Sequence, residues 1–327
     1  MHDAAWLWIR YQALMSSAPK QWQAPSARTA TVCVVLMCLI WGSTWIVIRK
    51  GLQDLPPFTS AGVRFAIAAS IMVLVAGPLA RREGGKAPTW RLRWVMGMCN
   101  FTISYGVVYW SELTLPSGLV STLWATFPMM MAIMGYFLLP NERLRSRQWG
   151  GFVIALAGVI LLFLTDLAAL GPGAIPAGCI LLISPAAAAL GTVLVKRDGG
   201  EVSSILLNRD GLILGAVGLL TLAGIFERDA EMAWTASAIG SILYLAIAGT
   251  VVAFGLYFWL MRFVPATKLS LITYIIPVVA LILGAVFADE SFGLTTAGGL
   301  LGILAGVWMA KGKAPLTQVP DKKKPAH

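Results

Sequence analysis

Few residues in this chain have both the type and the placement to do chemistry. Arg64 lies about seven residues into an apolar run opened by Pro56-Pro57, roughly 10 Å deep at about 1.5 Å per residue. A charged group at that depth in a bilayer costs a few kcal/mol (about 3) on insertion scales and by default faces the interior of a helix bundle. It reads either as a counter-charge for an anionic substrate group or gating carboxylate, or as a structural arginine held by carbonyls or snorkelling outward. Asp210, beside Asn208 and Arg209, stands in another apolar run and is a candidate proton carrier. Neighbours at i and i+1 do not share a helix face, so Arg209 and Asp210 cannot both simply point at one cavity. Near the interface the same group would make structural pairs. Glu112, close to Pro116, is a candidate gate or proton site, or else a solvated carboxylate at a turn.

Uncharged polar residues fall on shared faces. Asn100, Ser104 and Ser111 are spaced by four and seven, which places them on one side of a helix. Ser121, Trp124 and Pro128 form a second face, and Ser270, Thr273, Tyr274 and Pro277 repeat it. Such faces meet protein or a wet cavity rather than lipid, though for a single serine helix–helix hydrogen bonding is the simpler account. Of the remaining aromatics, Tyr105 and Trp124 sit away from predicted helix ends and suit a cavity. Trp110 and Trp259 suit the interfacial belt.

These residues must be positioned by membrane helices. The chain has 327 residues, 58% of them hydrophobic and 12% charged, against roughly 25% charged in soluble domains. Apolar runs predict ten spanning helices, near 30–48, 57–77, 93–113, 117–139, up to 165, 174–195, 202–226, 236–261, 266–287 and 294–310. The fold class is therefore an all-α polytopic membrane protein.

Half of the chain repeats the other half. Trp110/Trp259, Pro116/Pro265, Ser121/Ser270 and Pro128/Pro277 share one offset of about 149 residues, and Glu142 matches Glu290 after a one-residue gap. Residues 30–165 and 172–311 form the two copies, between tails at 1–29 and 312–327. Each copy holds five helices, an odd number, so the second must be inverted. Charge agrees: with both tails cytoplasmic, 20 of the 25 Lys and Arg fall inside and only Arg49, Lys50 and Arg228 outside. The net charge of +10 is thus accounted for by cytoplasmic loops rather than by nucleic-acid binding.

Composition also narrows the chemistry. The only histidines are His2 and His327, so no histidine relay or histidine metal site is available inside the membrane. Cys33, Cys38, Cys99 and Cys179 show no CxxC spacing and read as packing thiols. There is no P-loop. Gly298, Gly302 and Gly306 form overlapping GxxxG steps, expected to pack on Gly151, Ala155 and Gly158 or Val159, or to form a dimer contact.

The run IWGSTWIVIRKGLQDLPPFTSAGVRF, with Trp41-Gly42-Ser43-Thr44, Pro56-Pro57 and Arg64, resembles the first two helices of EamA-type transporters of the drug/metabolite transporter superfamily. LPSGLVSTLWATFP with Asn141-Glu142-Arg143 resembles that family's fourth helix, and VPATKLSLITYIIPVVALILGAVFADE its ninth. The resemblance spans about residues 30–311. It implies two inverted five-helix repeats in the bacterial inner membrane, a cavity lined by helices 1, 3, 4, 6, 8 and 9, and export of amino acids, other metabolites or drugs, with proton exchange as the usual energy source. One departure is that Gly191-Thr192 echoes Gly42-Ser43 without the tryptophan many relatives carry there.

The expected cavity set is Trp41, Ser43, Thr44, Arg64, Asn100, Ser104, Tyr105, Ser121, Trp124, Pro128, Tyr257, Thr273, Tyr274 and Pro277, with Glu112 and Asp210 as proton or gate candidates. The expected function is a secondary transporter of a small amphipathic solute, a monomer or weak homodimer, with no cofactor, no metal and no nucleic-acid partner. An uncoupled facilitator is the alternative within transport, and a membrane lipid-modifying enzyme the alternative outside it.

Overall fold

The computed structural model describes residues 25–139, 146–260, 263 and 272–310. The described residues are helical almost throughout. In order they form α1 (Ala27–Gly51), α2 (Pro57–Glu83), α3 (Trp90–Val95), π1 (Met96–Ile103) and α4 (Ser104–Ser111). Then follow α5 (Ser117–Trp124), α6 (Phe127–Leu138), α7 (Ser146–Leu162) and π2 (Phe163–Leu167). The second half holds α8 (Ala174–Leu181), α9 (Ile183–Asp198), α10 (Ser204–Phe226), α11 (Ala236–Ala246), π3 (Ile247–Val252), α12 (Ala253–Leu260), α13 (Ile272–Phe287) and α14 (Leu294–Ala310).

Seven helical stretches among the described residues are long and apolar enough to cross a bilayer, and 275–287 and 294–309 are shorter apolar helices. Large apolar side chains cover the outside, among them Leu74, Phe137, Leu164, Phe226 and Leu301. An aqueous surface would not tolerate such a coat, whereas lipid requires it.

The run expected as one helix over 117–139 is two. Residues Ala125 and Thr126 form a turn, and Pro128 sits in the first turn of α6. Proline lacks the N–H that would reach the carbonyl of Trp124, and its ring crowds that carbonyl, so a continuous helix fails there. At a helix start the same residue is harmless. Pro277, by contrast, stays inside α13.

Two antiparallel helix pairs brace the bundle. The first is α2 with α10, and carboxylates close both of its ends. Glu227, just past α10, accepts from the backbone N–H of Phe58 (2.6 Å) and Thr59 (2.7 Å) and from Thr59 Oγ1 (2.7 Å). Glu83, the last residue of α2, accepts from the hydroxyls of Ser203 and Ser204 and from Ile205 N–H (3.2 Å). Each carboxylate meets the unpaired N–H groups and the positive dipole end of its partner helix. The second pair is α7 with α14. A Cβ on Gly158 would stand 2.7 Å from the Gly299 carbonyl, and one on Gly306 would stand 2.5 Å from Ala155 N. Only glycine permits that approach, and the seam runs through Gly299, Gly302 and Gly306. Gly298 instead faces the Leu161 side chain.

Candidate functional site

Arg64 is the centre of the bundle's polar interior and is only 1% exposed. Its Nε and Nη2 both donate to Thr250 Oγ1 at 3.2 Å, and Nη1 donates to Tyr109 Oη at 3.2 Å. The guanidinium lies 5.1 Å from the ring centroids of Phe65 and Tyr105. Among the described residues no carboxylate comes within ion-pair distance of it. A full positive charge is therefore held in the interior by two hydroxyls and two π faces.

The backbone explains the threonine. In π3 the hydrogen-bonded turn is one residue wider than in an α-helix, and Thr250 Oγ1 donates to the carbonyl of Leu245, five residues back, at 2.8 Å. With its proton committed to the backbone, the hydroxyl has only lone pairs left to offer, and these face Arg64. The same turn carries Gly249, whose carbonyl accepts from Trp41 Nε1 at 3.2 Å. Trp41 also packs against Phe254 and Tyr257, at 5.5 and 5.7 Å between ring centroids. Thr44 is buried with its methyl against Gly249 and its hydroxyl on the Trp41 carbonyl. Ser43 Oγ donates to the Ile40 carbonyl at 2.9 Å and lies 2.7 Å from Tyr244 Oη.

A second polar cluster lies on the 90–124 side. Ser184 of α9 shares a hydrogen bond with Ser104 (3.0 Å) and accepts from Trp124 Nε1 (3.0 Å). Trp124 stacks on Phe127 at 5.0 Å and meets Trp45 at 6.2 Å. The Nε1 of Trp45 is buried with no partner among the described residues, as is Nδ2 of Asn100, whose Oδ1 accepts from Thr192 at 3.3 Å. Tyr105, next to Ser104 in the chain, belongs to the Arg64 side, edge-on to Phe65 at 4.7 Å and 5.1 Å from the guanidinium.

The remaining expected residues divide. Ser121 is buried and spends its hydroxyl on the Gly118 carbonyl of its own helix. Pro128 is half-buried and Pro277 buried. Thr273 and Tyr274 lie on α13, and their side chains are outside the described residues, as are Ser270, Asn141, Glu142 and Arg143. Asp210 is far from Arg64 along the bundle: Arg209 Nη2 and Nε lie 2.6 and 2.8 Å from its Oδ1, and Arg93 Nε lies 3.1 Å from Oδ2. Arg209 thus curls back onto its neighbour, so the shared-cavity geometry ruled out by i, i+1 spacing is not needed. Glu112 is 2% exposed, and neither of its oxygens has a hydrogen-bond partner among the described residues.

Glu290, the repeat partner of Glu142, is buried and caps another helix. It accepts from Ser117 N–H (2.7 Å), Ser117 Oγ (2.9 Å) and Gly118 N–H (3.1 Å) at the start of α5. Thr250, Tyr109, Ser184 and Tyr244 were also invisible as site residues in the apolar pattern. One signal was present: Thr102 in NFTISY and Thr250 in IAGTVV stand about one repeat apart.

The repeat, the apolar coat and the buried polar centre can be set beside known proteins. The EamA-like transporter family matches residues 28–164 and again residues 176–311. The chain belongs to this family, within the drug/metabolite transporter superfamily. It is similar to "Uncharacterized transporter YvbV" of Bacillus subtilis (strain 168), 28% identical over 293 residues covering 89% of this chain and 94% of that protein. It is also similar to "Uncharacterized inner membrane transporter YedA" of Escherichia coli (strain K12), 32% identical over 266 residues, 77% of this chain and 81% of that one. A solved crystal structure, 19% identical, superposes with a TM-score of 0.61 over 86% of this chain and 97% of its own, and so shares the fold. The EamA chain is therefore a multi-pass membrane protein, and its relatives are named as transporters.

Proposed function

We propose that the protein is a secondary transporter that exports a small amphipathic metabolite across the bacterial inner membrane. It crosses the bilayer ten times, as two inverted five-helix repeats over 30–165 and 172–311. The end of the bundle bearing Arg81, Arg82, Arg91, Arg93, Lys196 and Arg197 faces the cytoplasm, with both tails, as the positive-inside rule requires. The two halves move about a central site near the midplane, as in other inverted-repeat carriers.

The observation that carries this reading is the Arg64 guanidinium, buried in the bundle with only neutral partners. A substrate carboxylate supplies the missing counter-charge, and the aromatic groups Trp41, Tyr105, Trp124 and Tyr257 take its apolar part. An amino acid or a related metabolite fits that pattern. Arg93 and Arg209 already occupy Asp210, so Glu112 is the carboxyl left to exchange protons.

Uptake into inverted vesicles or proteoliposomes, driven by a solute or pH gradient, tests the proposal. Saturable uptake of an amino acid or related anion in wild type, lost in Arg64→Ala with correct insertion, supports it. Equal uptake in both would make Arg64 structural. Retention of the pH-gradient response in Glu112→Gln would move the coupling group elsewhere, and absence of that response in wild type would mark the protein as an uncoupled facilitator.

A further inference from the structure

Among the described residues, Glu83, Glu227 and Glu290 each cap a helix that is not their own, and Glu290 differs from Glu227. Glu83 and Glu227 pin α2 and α10 at opposite ends, so that pair cannot splay. Among the described residues, no arginine or lysine comes within ion-pair distance of Glu227. Glu290 caps α5 and, in addition, lies 3.5 Å from Arg49 Nε. Arg49, at the end of α1, also donates from Nη1 to the carbonyl of Leu115 at 2.8 Å, just before α5. One guanidinium and one carboxylate therefore tie the end of α1, the start of α5 and the segment following α13. Pro116 is the N-cap of α5 and offers no side-chain cap, so the N–H groups of that first turn are left to Glu290.

Glu112 lies beside this knot. Its two oxygens are buried and unpartnered, and the charges that act on it are Arg49 from α1, Glu290 from beyond α13, and Arg64 from α2. Tyr109, three residues earlier in α4, accepts from Arg64 Nη1. A buried carboxyl without partners is costly in either protonation state, so its retention calls for a reason.

We propose that Arg49, Glu290 and the first turn of α5 form a clasp that closes this end of the central site, and that the proton on Glu112 decides whether Arg49 keeps it shut. With Glu112 protonated, Arg49 belongs to Glu290 and the three segments are held together. When Glu112 loses its proton, Arg49 is offered a second carboxylate, and two like charges compete for it in a dry pocket. Separation of α5 from the segment after α13 then admits water to both carboxylates and relieves the competition. The gating role rests on the transport reading above; the charge switch itself does not.

Inter-label distance measurements test this on the full chain in lipid nanodiscs, with the four native cysteines replaced by alanine. Spin labels on Thr114→Cys and Ser291→Cys, both exposed positions, report the gap across the clasp. Between about pH 5 and about pH 9, a range that spans carboxyl titration in buried surroundings, wild type should shift from a short to a longer distance. Glu112→Gln should stay short at both values. Glu290→Gln should be long at both. Arg49→Gln keeps the cap on α5 and should lose the pH response, which answers the question even where Glu290→Gln does not assemble. A pH response surviving in Glu112→Gln or Arg49→Gln, or absent from wild type, overturns the clasp. No substrate is needed for this readout. A switching clasp in a protein that moves no solute would sink the transport reading alone, and saturable uptake with an immobile clasp would sink this inference alone.

Discussion

Thr102 and Thr250 occupy the same kind of backbone in the two halves of the molecule, yet they keep different company. Each lies in a π segment, and each hydroxyl donates to the carbonyl five residues back, Thr102 to Gly97 at 3.1 Å and Thr250 to Leu245 at 2.8 Å. The segment around Thr102 packs against a glycine-lined stretch of α10, where Gly211 faces Phe101 and Gly218 faces Thr102. The segment around Thr250 meets α2, and there the neighbour is Arg64. The repeat has kept the widened turn in both places and put the charge in only one. Widened turns recur at functional sites because they redirect a carbonyl and a side chain without ending the helix. Here the duplication supplies a symmetric scaffold, and one arginine makes the site lopsided.

The largest effect should come from removing that arginine. Arg64→Met should lower transport by about 100-fold, near 2.7 kcal/mol, the scale of one lost charge-assisted hydrogen bond. Its melting temperature in detergent should hold or rise, because an unpaired buried charge is replaced by an apolar chain of similar length. A melting temperature that falls together with transport would instead make Arg64 a structural residue, and the asymmetry would lose its functional meaning.

The π turn around Thr102 should respond in the opposite sense. A Cβ on Gly218 would stand 2.8 Å from Thr102 Cγ2. Gly218→Ala should therefore cost about 1–3 kcal/mol through overpacking, read as a lower unfolding midpoint, with transport per folded molecule unchanged. Loss of specific transport in correctly folded Gly218→Ala would show that the glycine-lined side also takes part in the cycle.

Much of this comparison could be read in the chain before any coordinates, and the rest could not, for physical reasons. Apolar runs and Pro56-Pro57 mark helices, because lipid imposes a strong and local rule on each stretch. Arg64 was legible because charge is rare at that depth. Its partners were not: Thr250 and Tyr109 become a site only through packing between residues 45 and 186 positions away. A π segment has no compositional mark, and Glu290 reads like any acidic residue at a helix end until Ser117 and Gly118 are found beside it. In sequence Asp210 could carry a proton or make structural pairs, and in space Arg93 and Arg209 pair with it.

The finest test sets the two threonines against each other. Thr250→Val keeps the shape of the side chain and removes the acceptor that takes both Nε and Nη2 of Arg64. It should lower transport by about 10-fold, near 1.4 kcal/mol, since the guanidinium keeps Tyr109 and its two aromatic faces. Thr102→Val removes an identical bond to the backbone and nothing else. It should shift stability by about 1 kcal/mol or less and leave transport at the wild-type level, measured by uptake per inserted molecule. The backbone contribution is common to both variants, so the difference between them isolates what Thr250 does for Arg64. Equal losses of transport in the two would mean that the π turns act as hinges irrespective of charge. A deficit confined to Thr250→Val would place function at the π turn that meets Arg64.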